Sequence, residues 1–488
     1  MERDTGVIST DRSDQITGAD VNIILVVFDS LRKDSIGVYG SPPWGRVRTP
    51  HFDAFAEQSL MMTRVYPESL PTLPTRRALY SGRRVYPFHD ANFRLKGDFV
   101  GAPGWGPIPE DQPTLAEVLR ESGYRTGLIA DVYHMFKPSK NFWRGFDQWM
   151  FLRGQETDPF RSGPRLSKEQ VDYWLPEELQ SEKAIEFIQQ CIMNIHDRTK
   201  EEDYFAPRVL KEAALWLEQN QDADKLFLTV ESFDPHEPWL VPPHYLRMYS
   251  QEEARQQVKS GYKDSSDMDD QLLRRTQFNY SAEVSMCDRW FGYFMESLRV
   301  LGLLDNTMVI LTTDHGHSIG DRNYIGKRGY PSAPEVYDVP LMIRFPKAEH
   351  AGAISDMFAQ HHDISAAILE AAGIEPDHDL DGFSFLDDAV AGRPGPRDHV
   401  TVGWGSAVTV ITKRWWLNCK VDGSGVLLHD LSRDDPFAEN AAEEHSDVVR
   451  ALFAKAEADA RGGFPEWLME LAKGEADAPG CSDLAARA

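Results

Sequence analysis

Continuous apolar runs that end near an aspartate constrain the fold of this chain more than any other feature. Asn22–Phe28 is almost wholly apolar and rich in β-branched residues, and Asp29 follows it directly. Similar runs occupy 125–130, 225–232 and 307–313, and each is followed within two residues by an aspartate. Strands that are apolar on both faces are typical of a parallel sheet covered by helices on both sides.

Helical patterns lie between these runs. Thr114 followed by Glu117 predicts a capping box, and 280–301 carries apolar residues at helical spacing. Strands that alternate with helices predict a doubly wound α/β fold. The polar segment 240–275 is predicted to be an exposed loop or a helical insertion over the site, and the aromatic-rich segment 135–165 to shape the pocket.

Glycine and proline mark a break at 373–395, and the pattern changes after it. The segments 399–404, 407–412, 415–420 and 426–431 look like antiparallel strands. We therefore predict four regions: a disordered segment 1–19, a main α/β domain 20–375, a smaller C-terminal α+β domain 376–473 with an antiparallel sheet and a terminal helix, and a disordered tail 474–488.

The composition argues against nucleic acid and membranes as partners. A net charge of −25 and a pI near 5.0 do not suit a phosphate backbone, which needs clustered Lys and Arg. The four cysteines lack metal-type spacing, which predicts free thiols and not a disulfide framework. The first twenty residues lack an apolar segment, and no run of about 18 apolar residues occurs. These features predict a cytoplasmic protein.

Acidic residues at strand ends predict a metal site. Asp29 and the pair Asp314-His315 follow predicted strands, and Thr72 lies at the start of a predicted helix. Ligands of open α/β sheets bind at the carboxyl ends of the strands. Two carboxylates, an imidazole and a hydroxyl would hold one divalent cation, with Mn²⁺ or Zn²⁺ favoured and Mg²⁺ or Ca²⁺ compatible. For Asp29 alone a capping role is the better interpretation; the three features together favour the metal.

Three basic residues are candidates for binding the anionic part of a substrate. Arg76 lies four residues after Thr72, on the same face of a helix, and could orient Thr72 or bind substrate oxygens. His236 follows a strand between two prolines and could protonate a leaving group, although a lone histidine is more often structural. Lys327 lies in a glycine-flanked loop, and a solvated surface lysine is the alternative.

The sequence Thr72-Leu73-Pro74-Thr75-Arg76 has the shape of the Cys-x-Pro-x-Arg signature of sulfatases. Further matching segments lie at 26–40, 49–53, 123–126, 313–316, 339–344 and 428–436, and Lys327 matches as well. The chain thus resembles the sulfatase family of the alkaline phosphatase superfamily over most of its length.

This resemblance implies an alkaline-phosphatase-like α/β/α sandwich with a mainly parallel sheet and a smaller C-terminal α+β domain with an antiparallel sheet. It implies metal ligands at Asp29, Asp314 and His315 and a nucleophile at Thr72. It also implies that Arg76, His236 and Lys327 handle the anion. Members of this superfamily commonly form homo-oligomers, so a homo-oligomer is expected.

The departures from the family pattern point away from sulfate monoesters. Thr72 replaces the cysteine that sulfatases oxidise to formylglycine, Ser30 replaces a second aspartate, and Asp314-His315 replaces Asp-Asn. The family's Gly-Lys-x-His segment has no lysine here, where 130–134 reads Ala-Asp-Val-Tyr-His, and Tyr133 or His134 could fill part of that space. The Asp-His pair is similar to that of phosphonate monoester hydrolases and phosphodiesterases.

We therefore predict a metal-dependent hydrolase of phosphate diesters or phosphonate monoesters, with metal-bound Thr72 as nucleophile and a small-molecule ester as substrate. The alternatives are a sulfuric ester hydrolase without formylglycine, a phospho-group transferase and, less favoured, a non-catalytic protein with this fold. Hydrolysis of a phosphothreonine calls for an activated water, and a second metal could supply it. The candidate ligands for that metal are Asp234, His236 and His362.

Overall fold

The computed structural model of the protein describes residues 21–89, 101–137, 140–175, 177–250 and 261–474. The predicted segment 1–19 lies outside the described residues, as does the predicted tail apart from Gly474. The strands are β1 Asn22–Phe28, β2 Leu60–Tyr66, β3 Ser69–Leu70, β4 Arg125–Ala130, β5 Gln148–Phe151, β6 Leu226–Ser232, β7 Lys263–Asp264, β8 Thr307–Thr312, β9 Ser318–Ile319, β10 Tyr324–Gly326, β11 Val339–Arg344, β12 Ile354–Gln360, β13 His399–Trp404, β14 Ala407–Thr412, β15 Trp415–Lys420 and β16 Leu427–Asp430. The helices are α1 Pro50–Ala56, α2 Thr72–Ser81, α3 Leu115–Glu121, α4 Tyr133–Phe136, α5 Lys168–Trp174, α6 Glu182–Ile195, α7 Phe205–Asn220, α8 Pro243–Leu246, α9 Asp270–Val300, α10 Pro334–Tyr337, α11 His361–Ala371, α12 Leu386–Val390, α13 Ser446–Asp459 and α14 Glu466–Lys473.

An eight-stranded sheet forms the centre of the molecule, in the order β12-β2-β11-β8-β1-β6-β4-β5. Its strands pair in parallel, except that β11 runs antiparallel to both β2 and β8. The four apolar runs recognised in the sequence are its central strands β8, β1, β6 and β4. The mainly parallel sheet expected from the sequence is therefore confirmed.

The seven residues of β1 are all buried because both faces of the sheet are covered. Ile23, Leu25 and Val27 belong to one apolar core, which α2, α3, α11 and α12 complete. The intervening Ile24, Val26 and Phe28 belong to a second core with residues of α1, α7, α8 and α9. Helix, sheet and helix thus form three layers, and the alternation of side chains along β1 joins the two cores.

Local capping signals place the helices as predicted. Thr114 accepts from the backbone N–H of Glu117, and the Glu117 carboxylate accepts from the N–H of Thr114, which forms the expected capping box before α3. The apolar pattern at 280–301 lies in the longer α9, where Asp269 caps the N-terminus. The segment 240–275 contains α8, β7 and the start of α9, while 251–260 lies outside the described residues.

A five-stranded sheet in the order β16-β15-β14-β13-β3 forms the second unit. Its antiparallel strands β13 to β16 match the predicted C-terminal strands. The fifth strand was not predicted: β3 comes from much earlier in the chain and pairs in parallel with β13, Ser69 with Gly403 and Leu70 with Trp404. A two-residue strand carries no periodic pattern, so its partner is decided by packing alone.

A small antiparallel sheet, β7-β10-β9, lies next to the end of β8 and contains the residues that lead to Lys327. Cys191, Cys287 and Cys419 are buried, and Cys481 lies outside the described residues. Within the described part of the chain, no helix is long and apolar enough to cross a bilayer.

Candidate active site

Asp29, Asp314 and His315 meet at the carboxyl edge of the large sheet. Asp29 follows β1, and Asp314 and His315 follow β8, which is the parallel neighbour of β1. One ligand-type atom from each of the three lies within 4.8 Å of the others, and all three side chains are at most 1% exposed. The structure therefore brings together the three predicted ligand side chains.

Short hydrogen bonds hold the two carboxylates in this position. Ser30 Oγ donates to Asp29 Oδ1 at 2.9 Å, and the Ser30 N–H donates to Asp314 Oδ1 at 3.1 Å. The backbone N–H of His315 donates to the same Asp314 oxygen at 2.8 Å. Ser30 has a φ of 61°, an uncommon backbone conformation for a residue with a side chain. The residue that replaces a family aspartate thus links the two strand ends.

Thr72 lies at the first residue of α2 and is 3% exposed. Its Oγ1 is 3.4 Å from His315 Nε2. His315 Nδ1 lies 3.0 Å from the carbonyl oxygen of Gly316, an acceptor, so Nδ1 carries the ring proton and Nε2 presents a lone pair. The hydroxyl, the imidazole and the two carboxylates thus share one small buried space.

Arg76 is fully buried and turns toward these carboxylates. Its Nη1 donates to Asp29 Oδ2 at 3.0 Å and to Asp314 Oδ2 at 2.6 Å, and it lies 3.3 Å from the Thr72 carbonyl oxygen. Its Nε donates to Glu231 at 3.0 Å. These contacts suit a residue that positions Asp29, Asp314 and Thr72, the first of the two roles expected for it. The sequence did not single out Glu231, although it is the last residue but one of the buried strand β6.

The electrostatics of the group suit a divalent cation. Burial and the neighbouring Asp314 raise the pKa of Asp29 well above its ordinary value, against the effect of Arg76. Burial also acts to raise the pKa of Asp314, but His315 and Arg76 outweigh it and hold that pKa below its ordinary value. Burial lowers the pKa of His315 to about 3, so its imidazole is neutral at neutral pH. A divalent cation would relieve the repulsion between the carboxylates, and this donor set fits one.

Lys327 and His236 form a pair beside this group. Lys327 Nζ donates to His236 Nε2 at 2.8 Å and lies 3.5 Å from Ser30 Oγ. Because an ammonium has no acceptor, Nε2 is unprotonated, and Nδ1 donates to the carbonyl oxygen of Glu237 at 2.7 Å. The residues are 5% and 7% exposed, so Lys327 is not the solvated surface lysine of the alternative interpretation.

A second ligand-type group, Glu156, His236 and Glu237, was not predicted. Among the described residues, two groups of three or more such side chains come within 4.8 Å, and neither contains Asp234 or His362. The predicted set Asp234, His236 and His362 is therefore wrong. Asp234 accepts from Gln155 and from the N–H of Ala206, and His362 contacts Arg397.

Glu156 and Glu237 were not predicted as ligands, although the sequence contains a weak indication for each. Glu237 directly follows His236, and Glu156 lies in the segment that was expected to shape the pocket. Tyr133 Oη donates to Glu156 at 2.9 Å, and the Tyr133 ring lies 4.0 Å from the ring of the adjacent His134. His134 also packs against Trp105 and Phe233. The pair 133–134 thus lines this side of the site.

The comparison with protein families decides the identity of the chain. The family model described as Sulfatase matches residues 21–374, most of the chain. The chain belongs to the sulfatase family. The sulfatase domain thus contains both ligand-type groups, Thr72 and Lys327, and ends shortly before the C-terminal strands.

Relatives of this sulfatase-family chain carry different activities in their names. The multifunctional alkaline phosphatase superfamily protein PehA of Trinickia caryophylli is 24% identical over 424 residues, which cover 76% of this chain and 78% of PehA. The N-acetylglucosamine-6-O-sulfatase of Bacteroides thetaiotaomicron is 22% identical over 437 residues, covering 75% of this chain and 70% of that protein.

Solved structures share the fold. The phosphonate monoester hydrolase of Agrobacterium radiobacter has a TM-score of 0.69 at 21% identity, covering 90% of this chain and 95% of that one. The phosphonate monoester hydrolase of Silicibacter pomeroyi has a TM-score of 0.68 at 18% identity, covering 92% and 97%. The expected alkaline-phosphatase-like architecture is confirmed, and the chain is a sulfatase-family hydrolase.

Proposed function

We propose that this sulfatase-family protein hydrolyses phosphate diesters or phosphonate monoesters and that Thr72 is its nucleophile. The position of the Thr72 hydroxyl carries the proposal: Oγ1 lies 3.4 Å from His315 Nε2, beside the group formed by Asp29, Asp314 and His315. A threonine cannot be oxidised to formylglycine, so attack must come from the hydroxyl oxygen itself. That oxygen suits phosphoryl transfer.

Asp29, Asp314, His315 and Thr72 would hold the divalent cation that is typical of the family. A cation bound there lowers the pKa of a hydroxyl and neutralises charge on the substrate. Arg76 stays on the protein side of the group, where its guanidinium keeps the two carboxylates together and contacts the Thr72 carbonyl oxygen. In this proposal Arg76 positions the nucleophile and its ligands, while Lys327 faces the substrate.

The reaction proceeds in two displacements. In the first, Thr72 Oγ1 gives up its proton to solvent and bonds to phosphorus while the bond from phosphorus to the leaving oxygen breaks. The leaving oxygen takes a proton from the Lys327–His236 pair, whose ammonium also faces the charge on the phosphoryl oxygens. Water then attacks phosphorus and gives a proton back to the Lys327–His236 pair, the bond to Oγ1 breaks, and Oγ1 takes up a proton from solvent, which restores the threonine hydroxyl.

The second candidate function is hydrolysis of sulfate esters without formylglycine. The name of the Bacteroides thetaiotaomicron relative, an N-acetylglucosamine-6-O-sulfatase, favours it. The hydroxyl at position 72 opposes it, and the similarity of fold to two phosphonate monoester hydrolases supports the phosphoryl reaction. A transferase would differ only in the second displacement, in which an alcohol would take the place of water.

The test is an assay of the metal-loaded protein on p-nitrophenyl esters matched in leaving group: a phosphate diester, a phosphonate monoester, a phosphate monoester and a sulfate. We expect the diester or the phosphonate to be hydrolysed fastest, and activity to disappear in Thr72→Ala but persist in Thr72→Ser. Preference for the sulfate would replace our proposal with the second candidate. Adding glycerol and analysing the products separates hydrolysis from transfer to an alcohol.

A further inference from the structure

Three side chains that could ligate a metal lie together at His236, the partner of Lys327, and His317 lies beside one of them. Glu156, His236 and Glu237 each place a ligand-type atom within 4.8 Å of the others. His317, two residues beyond the candidate ligand His315, points its Nδ1 at Glu237 Oε2 from 3.6 Å. The four side chains are 7%, 7%, 1% and 1% exposed. They come from three separate segments of the chain, so the cluster is a product of the fold.

The distances between the ligand-type atoms of the cluster match the distances between ligands of a bound metal ion. His236 Nδ1 lies 3.4 Å from Glu237 Oε2 and 3.6 Å from Glu156 Oε1. These distances exceed an ordinary N–H···O bond. Ligands about 2.1 Å from a tetrahedral ion are about 3.4 Å apart. The candidate ligands of the first group show the same separation, since His315 Nε2 lies 3.4 Å from Asp314 Oδ2.

The charges of the cluster also favour a bound cation. Glu156 and Glu237 place two carboxylates around one imidazole nitrogen of His236, and all three side chains are nearly excluded from water. A divalent cation between two buried carboxylates would offset the repulsion of their charges. Tyr133 Oη donates to Glu156 Oε2, Tyr262 hydrogen-bonds to Glu237, and Lys327 Nζ donates to Nε2 of His236, the ring nitrogen that faces away from the two carboxylates. We propose that Glu156, His236, Glu237 and His317 bind a second divalent cation of the kind that takes mixed nitrogen and oxygen ligands, such as Zn²⁺ or Mn²⁺.

Binding of this cation would change the hydrogen bonds of His236. Without it, Nδ1 donates to the Glu237 carbonyl oxygen and Nε2 accepts from Lys327. A cation on Nδ1 displaces that proton, and the neutral ring then carries its proton on Nε2. Nε2 becomes a donor, so Lys327 can no longer donate to it and turns toward Ser30, already 3.5 Å away. This consequence rests on the proposed function, because it prepares His236 to donate a proton to the leaving oxygen. The proposed metal site itself does not depend on that function.

The experiment measures metal per chain. The full-length protein is stripped with a chelator, loaded with Mn²⁺ or Zn²⁺, desalted and analysed by elemental mass spectrometry. We expect two ions per chain in the wild type and one in Glu237→Gln and in Glu156→Gln, which keep the shape of each side chain and remove its charge. Asp314→Asn should also retain one ion, and combining it with Glu237→Gln should leave none.

Glu68→Gln is the matched control, since Glu68 is a fully buried glutamate that belongs to neither ligand-type group and accepts from the N–H groups of Val85 and Tyr86. It should keep two ions. One ion in the wild type, lost in Asp314→Asn and kept in Glu237→Gln, would overturn the inference. Should a variant misfold, anomalous diffraction of Mn²⁺-loaded wild-type crystals decides: a peak beside His236 Nδ1 supports the site, and its absence refutes it. Neither measurement depends on which ester is hydrolysed.

Discussion

The carboxyl edge of the large sheet and the C-terminal sheet contribute to the same site in different ways. The large sheet supplies chemistry: Asp29 follows β1, Asp314 and His315 follow β8, and His236 follows β6. The C-terminal sheet supplies none of these side chains. Its strand β13 pairs instead with β3, and β3 ends two residues before Thr72. The large sheet thus provides reactive side chains, and the C-terminal sheet fixes the position of Thr72.

Asn418 on β15 gives the C-terminal sheet a second contact with the candidate site. It is buried, and its Oδ1 accepts from the N–H of Ser332 at 2.9 Å. Its Nδ2 donates to the carbonyl oxygen of Gly329 at 3.3 Å. Both partners lie in the loop that begins at Lys327. Changes at the edge of the large sheet should therefore abolish the reaction, whereas changes in the C-terminal sheet should weaken it and leave metal binding intact.

The largest effect is expected from Thr72→Ala. Turnover should fall at least about a thousandfold because the attacking oxygen is lost, while the fold and most of the metal binding remain. Assay of the purified variant, with circular dichroism and metal analysis, measures all three. Retained turnover would mean that the nucleophile is elsewhere. Ser69, the next hydroxyl to suspect, lies in the paired strand β3.

Asp314→Ala should lose the metal of the first group together with activity. The change removes one carboxylate ligand and leaves Arg76 Nη1 without its 2.6 Å partner. Elemental analysis after loading, compared with that of the wild type, is the measurement. A metal content equal to that of the wild type would exclude Asp314 from the ligand set and would break the assignment of the large sheet as the source of the ligands.

Asn418→Ala should lower kcat about tenfold with metal content unchanged. Losing these bonds frees the loop after Lys327, and a displacement of about 1 Å can cost up to a hundredfold in rate. Asn440→Ala is the control: Asn440 accepts from the N–H groups of Leu428 and Ala442, but within the C-terminal unit only. Equal effects of the two substitutions would mean that the C-terminal sheet acts through general stability and not through position.

The smallest effect, a change in stability, is expected for the ion pairs of Asp459, which join the C-terminal unit to Arg84. Asp459 on α13 lies 3.5 Å from Arg84 and 3.3 Å from His399. Burial acts to raise the pKa of Asp459, but its bond to His399 and the charge of Arg84 outweigh it and hold that pKa below the ordinary value. A depressed carboxyl pKa stabilises the folded state above the unfolded pKa, and this contribution fades as pH falls below about 4.

Asp459→Asn should therefore lower the free energy of unfolding by about 0.5–1 kcal/mol at pH 7, because the carboxyl is partly exposed. The difference from the wild type should stay constant down to about pH 5 and narrow on further acidification. Urea denaturation at several pH values measures it. Asp398→Asn, which removes an exposed carboxyl paired with Lys455 inside the C-terminal unit, should have a smaller effect. A difference that fails to narrow below about pH 4 would contradict the assigned pairing.

The central strands could be read from the sequence, and several other strands could not. β1, β6 and β8 are buried on both faces, so a largely apolar run of residues carries the signal. Toward the edge, β12 mixes exposed and buried residues, and β2 mixes partly and fully buried ones. Such mixed patterns do not specify a strand until a neighbour covers one side.

The same distinction holds for the site. The predicted positions Asp29, Asp314 and His315 lie together because parallel strand ends meet at one edge, a rule that needs only the order of strands. Thr72 reaches them from the start of α2, after β3. Their roles as ligands and nucleophile remain predictions until the variants are measured. The proposed second-metal set failed because proximity in the sequence to a strand end does not tell which way a side chain turns.

By itself, the sequence determined the buried parallel strands, the acidic residues at their ends and the hydroxyl that stands where sulfatases carry a cysteine. These features are local, since hydrophobic pattern and residue type are properties of short segments. Only the tertiary structure decided that Arg76 faces the carboxylates, that β3 joins the C-terminal sheet, and that Glu156 and Glu237 meet at His236. Such contacts join segments far apart in the chain, and packing of the whole molecule selects them.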